Sequence, residues 1–196
     1  VYNISEEVSF DSNVQSILTR KYPSRDAQVK VINSTSTSLD NYMYNYSEID
    51  QIEIYSDNPY MMEYKQYHPV TQAIAEEDWY QKAVEQSSVF WVEMVSYDKY
   101  NNEYWNLCLV RKIPLVNSDY HAVLVIRVSD KYLNTRVSSQ EYQMCASVDE
   151  GRIFYATSKD DYGQQQVVDI DYDENYFRYA GSLKLHNKTC FVDVST

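Results

Sequence analysis

Six side chains in this sequence are of types that grip a small molecule: Tyr55, Asp57, Tyr80, Trp91, Glu93 and Arg111. Trp91 and Glu93 alternate on one predicted strand and so share a face, setting a stacking ring beside a carboxylate, a grip suited to a sugar or an amine. Arg111 stands in a strongly apolar run, Leu107 to Ile113, where a lone guanidinium is too costly to bury. Glu53, Glu93 or a ligand carboxylate would have to meet it. Tyr80 follows Trp79 on a short predicted helix, and helical neighbours point about 100° apart. Tyr80 is read as the polar-tipped pocket residue and Trp79 as core. Tyr55 and Asp57 come from the polar face and the end of an earlier strand. The competing readings are a core Trp beside a surface Glu, and a structural ion pair at Arg111.

These residue types bind; nothing arranges them to react. No two of the 29 acidic residues are singled out as a glycosidase pair, and no Ser or Cys has a recognisable base or backbone elbow beside it. A secreted hydrolase is therefore the alternative from a different class. The three glycines, Gly151, Gly163 and Gly181, cannot build the closely spaced glycine loop that cradles a phosphate, which removes the nucleotide-binding classes. A net charge of −12, with no run of basic residues, argues against nucleic acid. The three cysteines (Cys108, Cys145, Cys190) lack CxxC spacing and the three histidines are scattered, so neither a metal site nor a cofactor is expected. Cys145 and Cys190 lie in strand-like runs and are the pair to consider for a disulfide in an oxidising compartment.

The elements that must position the six residues follow from periodicity. Ile4, Val8, Val14, Ile17 and Leu18 predict a helix that Tyr22-Pro23 ends, with Ser24 capping a second through Ala27, Val31, Ile32, Leu39 and Met43. Ile49 to Ser56 alternates as a strand, Ile52 and Ile54 on one face, Glu53 and Tyr55 on the other, closed by Asp57-Asn58-Pro59. Tyr60 to Val70 has no period and reads as a loop closing over something. A helix over Glu76 to Ala83 precedes strands at Val89 to Tyr97, Tyr104 to Leu115 and His121 to Val128. The last is apolar without a break from Ala122 to Ile126, the mark of a central strand. A helix over Ser129 to Ser139 leads to a smaller strand set: Gln143 to Val148, Arg152 to Thr157, Val167 to Ile170 and Leu183 to Val194. Val148 to Arg152 reads as a hairpin turn with Gly151 supplying a positive φ. The class is α+β, a sheet backed by helices.

Ile52-Glu-Ile-Tyr-Ser-Asp-Asn58, Asp78-Trp-Tyr-Gln-Lys-Ala83, Leu109-Val-Arg-Lys-Ile-Pro114 and Val123-Leu-Val-Ile126, in that order, resemble the extracytoplasmic double Cache (PAS-like) sensors of bacterial two-component histidine kinases, nearest to the YesM-like type. The resemblance implies a long N-terminal helix backing two PAS-like lobes, each a central antiparallel sheet, the second smaller and incomplete. The bounds expected are a helical lead over 1–46, a membrane-distal ligand-binding lobe over 47–138 and a membrane-proximal lobe over 139–196. It further implies a small-molecule ligand in the distal lobe, a conformational signal relayed across a cell membrane, and a homodimer in the intact receptor. Membrane anchors would lie in flanking segments, since no apolar run here approaches the ~20 residues that span a bilayer. The fragment itself would be no enzyme, although the whole protein would be a kinase. A methyl-accepting chemotaxis receptor is the alternative output. Members that bind amino acids carry an Arg just before the Trp-Tyr pair; here Ala75-Glu-Glu-Asp78 is acidic, and Ala122 stands where Gly is usual.

Overall fold

Apolar residues at helical spacing give the first 45 residues four helices, α1 (Tyr2–Phe10), α2 (Ser12–Thr19), α3 (Arg25–Thr35) and α4 (Thr37–Asn45). The computed structural model describes residues 1–35, 37–86, 89–97, 100–101, 103–138, 145–147, 153–156, 178–185 and 188–195. The lead is a series of short helices, and not one long helix, because Asp11 interrupts the first periodic run. Its backbone is extended (φ −65°, ψ 121°), and its carboxylate accepts the N–H groups of Asn13 at 2.7 Å and Val14 at 3.1 Å, starting a new helix. Ser24 caps α3 as expected, its Oγ accepting the Ala27 N–H at 3.3 Å.

Five strands form the main sheet: β1 (Ile49–Ser56), β2 (Tyr67–Pro69), β3 (Phe90–Tyr97), β4 (Glu103–Ile113) and β5 (Ala122–Val128). Their order is β2-β1-β5-β4-β3, antiparallel apart from the parallel pair of β1 with β2. The expected loop from Tyr60 to Val70 thus contributes an edge strand. It closes on the helical lead: Met61 and Tyr67 are buried there, and the buried Gln28 side chain donates to the Met62 carbonyl at 2.6 Å and accepts its N–H at 2.9 Å. β5 sits in the middle and is buried on both faces, as its unbroken apolar run requires.

Strand alternation gives the sheet two unlike faces. One carries Ile52, Ile54, Ile113, Leu124 and Ile126 into a core closed by Ile4, Val8, Ile17, Leu18, Ile32 and Leu39 of the lead. The other carries Cys108, Val110, Val123 and Val125 against Tyr80 and Ala83 of α6 (Asp78–Glu85), which follows the short α5 (Gln72–Ala75). Helix α7 (Asp130–Ser138) follows β5, and a two-stranded pair, β6 (Cys145–Ser147) with β7 (Ile153–Ala156), follows it.

The chain divides into two compact units, Val1–Gln165 and Gln166–Thr196. Within the second, β8 (Arg178–Leu185) and β9 (Lys188–Ser195) form an antiparallel hairpin. The single run expected from Leu183 to Val194 is therefore two strands, with Leu185 paired to Lys188. The turn expected over Val148 to Arg152, the run Val167 to Ile170 and the side chains of Cys145 and Cys190 lie outside the described residues. No described helix is long and apolar enough to cross a membrane.

Candidate functional site

On the α6-facing side of the sheet, polar and aromatic side chains from three adjacent strands make a contiguous group. Beyond the register shift after Ile49, the odd-numbered residues of β1 face this side, which places Gln51, Glu53 and Tyr55 here. The Tyr55 hydroxyl donates to Glu53 Oε2 at 3.2 Å, and Gln51 Nε2 donates to Glu53 Oε1 at 2.9 Å. From β2, the His68 ring stacks on Tyr55 with centroids 5.3 Å apart and planes at 29°. From β5, Arg127 Nη2 lies 4.0 Å from Glu53 Oε2, both side chains being only 17% exposed. From α6, Trp79 meets the Tyr55 ring edge-on at 5.4 Å.

Helix α6 is held over this face by its own polar contacts. Lys112 Nζ, from β4, donates to the Val84 carbonyl at 2.5 Å near the C-terminal end of the helix, where a cation is favoured. Lys82 Nζ sits 4.6 Å from the centroid of the Phe90 ring on β3. Tyr80 is 6% exposed and lies perpendicular to Trp79, ring centroids 5.8 Å apart.

Burial sets the electrostatics of the group. Desolvation raises the Tyr55 phenol well above the ordinary tyrosine range, with the Glu53 carboxylate adding to the effect. Burial pushes Tyr80 up to about 12, Asp57 contributing, and pushes the Cys108 thiol up to about 12 against the pull of Arg127. Cys108 is thus a neutral thiol and no nucleophile at neutral pH. Two nitrogens in the group, His68 Nε2 and Arg127 Nε, are buried and have no hydrogen-bond partner among the described residues. Buried polar atoms are nearly always paired in a finished interior, so such atoms mark unspent hydrogen-bonding capacity. Among the described residues, no group of three His, Cys, Asp or Glu could hold a metal ion.

The six residues singled out by sequence do not converge. Tyr55 and Tyr80 belong to the α6-facing side. Arg111, Trp91 and Glu93 belong to the other: Arg111 is paired with Leu124, Trp91 with Leu109 and Glu93 with Leu107, and directly opposed residues share a face. Arg111 does not meet Glu53, because the sheet lies between them. Its Nε donates instead to Ser5 Oγ of α1 at 2.9 Å, and its guanidinium lies 4.9 Å from the centroid of the Tyr2 ring. Trp91 lies on the edge strand and is 36% exposed. Asp57 stands at the end of β1 and is engaged by His121, whose backbone N–H donates to Oδ1 at 2.6 Å and whose Nδ1 lies 2.8 Å from Oδ2. The residues that sequence reasoning passed over are His68, Trp79 as a site member, and Arg127. An open depression lined by Arg25, Met62 and Glu63 lies away from all of these groups.

Neither a protein family nor a curated protein matches the chain. Solved structures do. The ligand-binding domain of the Campylobacter jejuni chemoreceptor Tlp3, in complex with L-valine, aligns over 97% of this chain and 79% of its own, at 15% identity and a TM-score of 0.51. Its complex with 4-methylisoleucine aligns over 97% and 77%, at 15% identity and a TM-score of 0.50. A sensory box/GGDEF family domain from Vibrio parahaemolyticus aligns over 78% of this chain and 65% of its own, at 16% identity and a TM-score of 0.50. At such identities the likeness is one of fold. The chain has the mixed α+β fold of these sensory domains.

Proposed function

We propose that this chain is the extracytoplasmic ligand-sensing part of a membrane receptor, taking a small molecule on the α6-facing side of its five-stranded sheet. The observation that carries the reading is the Glu53–Tyr55–His68–Trp79–Arg127 group, with two buried nitrogens left without partners. A site of aromatic walls around a few polar atoms suits a small ligand, whereas nothing there assembles a nucleophile with a base. The fragment itself is proposed to be non-catalytic, with anchoring segments and a homodimer supplied by the intact receptor. Because solved complexes of this fold hold L-valine and 4-methylisoleucine, amino acids head the compounds to try.

Two outputs are compatible with such a domain, a histidine kinase and a methyl-accepting chemotaxis receptor. The Tlp3 matches favour the second. Flanking coding sequence tests the choice: a kinase core downstream restores the first. Thermal-shift screening of amino acids, amines, sugars and short carboxylates tests the sensing reading, because a compound bound only by the native state raises the melting temperature. The expected result is at least one compound whose shift is lost in Trp79→Leu. Shifts that survive in Trp79→Leu, His68→Leu and Tyr55→Phe alike would remove the site from this face.

A further inference from the structure

We infer that the ligand of the α6-facing side presents a carboxylate to Arg127, with His68 as the second contact and Tyr55 and Trp79 as the walls. The inference rests on the ligand-sensing reading above and narrows it to a chemical class.

Hydrogen-bonding capacity decides the class. The anion of the group, Glu53, is already engaged at both oxygens: Oε1 accepts from Gln51, and Oε2 accepts from Tyr55 and faces Arg127. Its remaining attraction for an amine is weakened by the guanidinium beside it. The donors are in the opposite condition. Arg127 has five N–H groups, and besides Glu53 it meets the Cys108 thiol and lies within reach of the Asp130 carboxylate. Its contact with Glu53 is a single one at 4.0 Å, longer than the 2.7–2.9 Å typical of a charge-assisted bond. Its Nε has no partner among the described residues, and neither does His68 Nε2, which donates in one of the two neutral tautomers. A ligand that supplies acceptors completes this group; one that supplies only donors leaves it incomplete.

The positions of the rings bear on the rest of the molecule. His68 and Tyr55 stack and Trp79 stands edge-on to Tyr55, so an apolar or aromatic body next to the carboxylate has three ring surfaces to meet. Glu53 and Asp130, both acting on Arg127, set an upper limit on ligand charge, since a second anionic group on the ligand would be repelled by them. The class is therefore a monocarboxylate with an apolar or aromatic body, amino acids included. The chain reaches this grip without an arginine before the Trp-Tyr pair, where Asp78 stands. The cation comes from the last strand of the sheet instead. Glu53 acts here as a positioning residue, holding the guanidinium over the sheet.

Three probes of one shape and different charge test this: phenylacetate, its neutral isostere phenylacetamide and the cation phenethylamine. Each is titrated into the full chain while the arginine Nε–H resonances are followed by NMR, with the Arg127 signal assigned by its loss in Arg127→Lys. The expected result is a saturable shift of the Arg127 signal with phenylacetate alone, and affinity for phenylacetate lowered by about tenfold or more in Arg127→Gln, as befits loss of a bond to a charged group. Arg127→Lys keeps the charge and gives the same reading if Arg127→Gln fails to fold. Binding of phenylacetamide or phenethylamine as tight as that of phenylacetate, and lost in Trp79→Leu, would overturn the carboxylate class while leaving the site in place. Phenylacetate affinity unchanged in both Arg127 variants would do the same. If none of the probes moves any resonance of this face, both the class and the site reading fall.

Discussion

The two faces of the sheet share the same strands but are finished differently. The helix-lead face is closed by aliphatic side chains from the lead; the Arg111 guanidinium there is met by Ser5 and Tyr2 of α1, while its Nη2 is buried without a hydrogen-bond partner among the described residues. The α6-facing side holds an ion pair at 4.0 Å, a stacked His–Tyr pair and two nitrogens without partners. Both faces bury a guanidinium nitrogen without a partner, and what distinguishes the α6-facing side is that Arg127 Nε and His68 Nε2 occur in one group with stacked rings. A charged residue in an apolar strand is thus no guide to a site until its face is known.

The contrast can be broken by substitution, and the largest effect belongs to the helix-lead face. Leu124 is fully buried there, and Leu124→Ala is expected to cost about 2–5 kcal/mol in urea unfolding. Next comes Asn58, which ties the β1 terminus to the lead: its Nδ2 donates to the carbonyls of Leu18 at 2.8 Å and Arg20 at 3.0 Å, and its Oδ1 accepts the Tyr60 N–H at 3.0 Å. Asn58→Ala leaves these groups unpaired and should cost about 1–3 kcal/mol in the same measurement. Arg111→Gln loses the Ser5 bond and the contact with Tyr2, a change of about 1 kcal/mol, and should leave ligand affinity unaltered by calorimetry.

The smallest effect appears only at high pH. The folded protein holds Tyr80 up at about 12, above its value in an unfolded chain of about 10. The unfolded state therefore loses this proton first. The contribution is fully present below about pH 10 and is lost as pH rises through about 12. Tyr80→Phe should accordingly flatten the alkaline fall of the melting temperature, with little change at neutral pH. An unchanged alkaline slope would contradict the burial of this hydroxyl.

Much of the fold was legible in local pattern. The alternation of Ile49 to Ser56, bounded by Asp57-Asn58-Pro59, gave β1 at its observed limits, and the unbroken apolar run to Ile126 marked β5 as central. Asp11 was missed as a cap because one polar residue inside an apolar helical period resembles an exposed position. The site was harder to read because it depends on register between strands distant in sequence. Nothing local reveals that Arg111 faces Leu124, or that Glu53 lies across the sheet from it. His68 lay in a stretch with no period. Arg127 was passed over because it ends the apolar run that drew attention to β5.

The ligand is proposed to sit on the α6-facing side. The most direct test of this placement uses one variant from each face. With the compound that raises the melting temperature most, Trp79→Leu and Arg111→Gln are compared with the unaltered chain in ligand-induced melting shift. The shift is expected to be lost in Trp79→Leu and kept in Arg111→Gln. A shift kept in Trp79→Leu and lost in Arg111→Gln would place the ligand on the helix-lead face and contradict the proposal.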